Sequence, residues 1–94
     1  MTRFTTRVEL HDANGLHYEI LHRAMAVQGF KRTVTSDNGV TYHLPTAEYD
    51  FDGFADIQQV LQKAQHAAAT TQKLAAIIVT QSATRVWSGL EKTA

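Results

Sequence analysis

"RTVTSDNGVTYHL" (residues 32–44) holds two short β-forming runs on either side of Asp37-Asn38-Gly39. The number of residues that turn the corner settles which side chains reach a core. A two-residue Asn38-Gly39 turn pairs Thr35 with Tyr42 and sets Val34 opposite His43. A three-residue Asp37-Asn38-Gly39 loop, with glycine in the left-handed position, sets Val34 opposite Tyr42. The second is preferred, because it gathers Val34, Tyr42 and Leu44 on one side and turns Thr33, Thr35, Thr41 and His43 outward.

Upstream, residues 3–10 alternate, with Phe4, Thr6, Val8 and Leu10 on one side and Arg3, Thr5, Arg7 and Glu9 on the other, as in a strand with one buried face. Residues 15–28 read as a helix in which Leu16, Ile20, Ala24 and Val27, flanked by Leu21 and Met25, form the apolar stripe. Gly29 suits a left-handed C-terminal cap, with Phe30 the apolar residue just beyond it. Downstream, Pro45 marks a bulge or an edge. Ala47, Tyr49 and Phe51 then alternate with Glu48, Asp50 and Asp52. A second helix is expected over about 54–71, its buried stripe including Phe54, Ile57, Val60, Leu61, Ala64 and Ala68, with Asp52 and Asp56 at its positive end. The β-branched run Ile77-Ile78-Val79 predicts a last long strand, Ile77 and Val79 facing one way and Ile78 the other with Ala76. The tail "SATRVWSGL" can add a short extra strand.

This order, β-α-β-β-α-β, predicts an α+β, ferredoxin-like sandwich: one domain over 1–94, with a four-stranded antiparallel sheet carrying both helices on one face. The other face then needs cover, and Ile78 on it suggests a second subunit or the C-terminal tail.

Composition narrows the function classes. Nine Lys+Arg balance nine Asp+Glu, so the chain has no bulk basic field for binding nucleic acid non-specifically. With no cysteine it has no disulfide framework and no thiol chemistry, which suits a reducing cytoplasm. The apolar run "LAAIIV" is far shorter than the roughly 20 residues of a membrane span, and the first residues lack the apolar core of a signal peptide. A soluble cytoplasmic protein without membrane insertion is expected.

"RVELHDAN", "LHRAMAVQGFKRTVTSDNGVTYHLPTAEYDF" and "IIVTQSATRVWSGL", which together span most of the chain, resemble the GhoS family, the antitoxins of type V toxin–antitoxin systems. The resemblance implies a ferredoxin-like fold, a shape related to the small dimeric nuclease of CRISPR adaptation, and endoribonuclease activity on the messenger RNA of a small membrane-damaging toxin. It transfers no active-site residue position by position.

Cleavage of RNA requires a metal that activates water, or an acid–base pair acting on the 2′-hydroxyl with a cation for the phosphorane. Asp12 suits the divalent-metal route if a twofold axis brings two copies together; alternatively it caps the first helix, as Asn14 also could. His11 suits the metal-free route, or is a surface histidine at a strand end. Arg7, Arg32 and His43 are candidate contacts to single-stranded mRNA; the plainer readings are a cross-strand ion pair for Arg7 and Glu9 on a solvated or subunit-covered face, solvated charge at Lys31-Arg32, and a surface strand histidine. His17 and His22 lie five apart, roughly 140° around a helix, so they do not form a zinc grip. "DFDG" lacks the remaining ligands of a calcium loop. Tyr42, Tyr49 and Phe51 lack the glycine-aromatic pattern of an RNA-recognition motif and read as core. The expectation is a homodimeric endoribonuclease antitoxin. The alternative is a non-catalytic dimeric module that binds through the same open sheet face.

Overall fold

The chain runs β1 (Thr2–Leu10), α1 (Gly15–Val27), β2 (Thr33–Thr35), β3 (Thr41–His43), β4 (Glu48–Gly53), α2 (Ile57–Ala69) and β5 (Ala75–Ser82) in the computed structural model, which describes residues 2–93. It is an α+β protein with one three-stranded antiparallel sheet, in the order β4-β1-β5, and one two-stranded sheet, β2-β3. Alternation makes β1 the centre: Phe4, Thr6, Val8 and Leu10 are buried, while Arg3, Arg7 and Glu9 are exposed. The buried side chains of both helices, Leu21 and Met25 from α1 and Val60, Ala64, Ala67 and Ala68 from α2, join one cluster with Phe4, Val8, Leu10 and Tyr49. The outward row of β1 therefore lies on the face opposite the helices.

The hairpin takes the three-residue loop. Val34 pairs with Tyr42, Gly39 has φ 86°, and the Ser36 N–H donates to the Val40 carbonyl at 2.8 Å. The expected four-stranded sheet is found as three strands. Where the fourth would lie there is a single antiparallel bridge, Lys31–Asp50, with reciprocal backbone bonds of 2.8 and 2.7 Å. The cause is local. Past His43 the chain makes a tight turn, closed by the Glu48 N–H on the Pro45 carbonyl at 3.1 Å with Ala47 at φ 68°. That turn splits β3 from β4 and assigns them to different sheets.

Helix α1 ends as expected. The Gly29 N–H bonds to Ala26 and the Phe30 N–H to Met25, both at 3.0 Å, with Gly29 at φ 96° and Phe30 buried. Its buried face differs from the expected stripe: Leu16, Ile20 and Val27 are exposed, and Leu21 and Met25 point inward. Two polar-tipped side chains accompany that rotation. The Tyr18 hydroxyl accepts the Leu10 N–H at 3.0 Å, and His22 Nδ1 lies 2.6 Å from the Tyr49 hydroxyl. Helix α2 also begins later than expected, at Ile57, because Asp56 and Gln59 form a reciprocal capping box. Phe54 stays outside it and exposed, and Asp52 belongs to β4.

At the start of α1, the Asn14 carboxamide oxygen accepts the N–H groups of Leu16 and His17 at 3.0 and 3.3 Å. Replacing Asn14 with Ala leaves those donors unpaired in the protein and is expected to lower unfolding free energy by about 1 kcal/mol, measured by urea denaturation.

Candidate functional site

The face opposite the helices is built around the outward residues of β1. Register places Arg3 between Asp52 and Ser82, Thr5 between Asp50 and Thr80, Arg7 between Glu48 and Ile78, and Glu9 beside Ala76. His11 extends the pairing by one residue, its N–H donating to the Leu74 carbonyl at 2.8 Å. Arg3, Arg7 and His11 thus recur every fourth residue, about 13 Å apart at strand rise. Neither Arg3 nor Arg7 has an ion pair among the described residues. The cross-strand neighbour of Arg7 on β4 is Glu48, but the two form no ion pair among the described residues.

The tail covers part of this face. Arg85 Nη1 donates to Asp50 Oδ1 at 2.7 Å and to Thr5 Oγ1 at 3.3 Å, and both ion-pair side chains are largely buried, at 16% and 13% exposure. Trp87 then meets Tyr42 edge-on at 5.6 Å. Further along, the Thr93 N–H bonds to the Thr41 carbonyl and the Glu91 carbonyl accepts the His43 N–H, around a Tyr42–Lys92 bridge. The anticipated extra strand is reduced to that bridge. The tail leaves two concavities on the face, one of about 360 Å³ beside Arg3 and Arg85 and one of about 230 Å³ beside Arg7, Glu9 and Ile78. Ile78 remains exposed at 64%.

His11 and Asp12 stand side by side at the end of β1, both exposed. The cap of α1 is Asn14, so Asp12 is free of that task. Asp12 adopts φ 51°, a left-handed conformation that aspartate tolerates better than most residues. Among the described residues neither side chain has a hydrogen bond or ion pair. Also among the described residues, no group of three His, Asp or Glu side chains could hold a metal.

Arg32 and His43 lie away from that row. Lys31 is joined to Asp50 by the backbone bridge, and its exposed neighbour Arg32 acts electrostatically on the His22–Tyr49 pair on the helix side. His43 sits on the hairpin, exposed and opposite Thr33. The structure thus places Arg7 on β1 and His11 and Asp12 just past its end, with Arg32 and His43 on the hairpin segment.

Burial, with a smaller contribution from Arg32, lowers the His22 pKa against an opposing pull from Glu19. Burial likewise pushes Tyr49 up to about 12, with Arg32 opposing. Because the folded His22 binds its proton less readily than the unfolded chain does, its stabilising contribution is present above about pH 6.5 and is lost as pH falls below that value. Thermal melts between pH 7.5 and 5 are expected to show a falling Tm whose slope is reduced in His22→Gln.

Three residues of this face escaped sequence reasoning. Arg3 was discoverable, since it shares the outward parity of Arg7. Arg85 and Trp87 were not, because their positions depend on the path of an irregular tail. No protein-family model matches this chain, and no curated protein matches it significantly.

Proposed function

We propose that the chain is a GhoS-like endoribonuclease antitoxin, working in the cytoplasm as a homodimer on single-stranded mRNA. In this reading the three-stranded sheet is the body of a ferredoxin-like βαββαβ sandwich, and the Lys31–Asp50 bridge is what remains of its fourth strand. The observation that carries the proposal is the row Arg3, Arg7 and His11 on the sheet face that the helices leave open. Guanidinium groups spaced along one strand suit a phosphate backbone, and an imidazole at its end can act on a 2′-hydroxyl. His11 takes the 2′-hydroxyl proton, the 2′-oxygen attacks the adjacent phosphorus, and the 5′-oxygen leaves and is protonated by water. Arg7, about 13 Å along the strand from His11, is the cation for a neighbouring phosphate and holds the RNA strand in register.

The test is incubation of the purified protein with U/A-rich single-stranded RNA, with and without EDTA. Cleavage that survives EDTA supports the His11 route. Cleavage abolished by EDTA and by Asp12→Asn would transfer the chemistry to a metal held between copies.

A second reading, a non-catalytic dimeric binding module, is favoured by one observation: exposed Ile78 directly beside Arg7, an apolar side chain suited to a second protein surface. Absence of cleavage beyond that of an inactive control would select it.

A further inference from the structure

The larger concavity carries chemistry that the cleavage step does not use. It lies between the start of the outward row, the hairpin turn and the tail, and is lined by Arg3, Asp37, Ser82, Thr84, Arg85 and Trp87 among others. Its volume of about 360 Å³ falls within the ~300–1,000 Å³ usual for small-ligand clefts.

We infer that this cavity seats one ribonucleotide, its phosphate on the Arg3 and Arg85 guanidiniums and its base against the Trp87 indole. Three observations carry this. Arg3 is exposed and has no ion pair among the described residues. Arg85 is held through Nη1 alone, to Asp50 and Thr5, and among the described residues its Nη2 and Nε make no bond, so the guanidinium keeps donors for an anion while Asp50 offsets part of its charge. Trp87 meets Tyr42 at 64° between ring planes, so the tyrosine covers at most one indole face. A side chain that stacks on any base, beside cations that grip phosphate, is the general arrangement of single-strand binding. Asp37 in the lining and Asp50 on Arg85 bear the opposite sign and oppose a phosphate. The Ser82 and Thr84 hydroxyls supply the neutral polar partners.

The choice of a ribonucleotide rests on the RNA reading above, but the two fail separately. Binding here is read without cleavage, and neither His11 nor Asp12 lines the cavity.

Trp87 is the only tryptophan in the chain, so its fluorescence reports the site directly. The full chain is titrated with uridine 5′-monophosphate, with pentauridylate, and with uridine and inorganic phosphate as separate controls. Both phosphate-bearing nucleotides are expected to quench Trp87, while uridine and inorganic phosphate each bind at least about tenfold more weakly. Arg3→Gln, at an exposed position, is expected to weaken the nucleotide about tenfold. Asp37→Asn is expected to tighten it, a gain that misfolding cannot imitate. No quenching at millimolar nucleotide overturns the inference. So does indifference to Arg3→Gln, weakening by Asp37→Asn, or equal affinity for inorganic phosphate, which would make this a simple anion site.

Discussion

His11→Ala is expected to lower the single-turnover rate of single-stranded RNA cleavage by about 10²–10⁴-fold, the usual contribution of a positioned general base. The loss should fall on chemistry rather than folding. The His11 side chain is exposed, and its structural role is the backbone bond to the Leu74 carbonyl, which alanine keeps. RNA affinity, measured on a 2′-O-methyl strand that cannot be cleaved, should change little. Arg7→Gln should slow cleavage and also weaken binding, because the guanidinium would hold phosphate before and during the reaction. A His11→Ala protein that cleaves at the parental rate would remove the imidazole from the mechanism.

Phe4→Ala carries the largest expected cost in stability. Phe4 is fully buried on the central strand, with Phe51 edge-on at 6.2 Å, in the cluster where both helices meet the sheet. Deleting a buried phenyl group removes its transfer free energy and leaves a cavity, together about 3–5 kcal/mol. Small domains have total stabilities of about 5–15 kcal/mol, so the variant should sit near its unfolding threshold. Urea denaturation should show a markedly lower midpoint. Thr80→Ala, exposed on β5, should stay within about 0.5 kcal/mol of the parent.

The parts of the fold that were legible in sequence are those fixed by local geometry. Strict alternation gave the two faces of β1, and loop length gave the Val34–Tyr42 register. Glycine at φ 96° ended α1 where a left-handed residue was needed. Helix rotation was less legible, because Tyr18 and His22 are half-buried by hydrogen bonding their tips to Leu10 and Tyr49. A count of apolar residues instead drew Leu16 and Ile20 inward. The shrunken fourth strand follows from the turn over residues 45–48, whose positive φ at Ala47 no alternation pattern reveals.

The candidate site divides in the same way. Parity along one strand placed Arg7 with His11, and would have added Arg3. Arg32 and His43 carry side chains suited to RNA, but nothing in the sequence places them on a common surface. Asp12 and Asn14 were equal candidates for the cap until hydrogen-bond geometry chose Asn14. The Arg85–Asp50 ion pair joins residues 35 positions apart across the sheet, a contact that neither periodicity nor spacing encodes.

Amide chemical-shift mapping with a 2′-O-methyl U/A-rich strand tests most directly whether the face away from the helices is where RNA binds. The 2′-O-methyl group removes the nucleophile, so the complex persists during measurement. The expected shifts cluster at Arg3, Arg7, His11, the outward residues of β5 and the tail around Arg85 and Trp87, with the exposed side of α2 unmoved. Shifts confined to the outer surfaces of α1 and α2, or none at saturating RNA, would contradict the account.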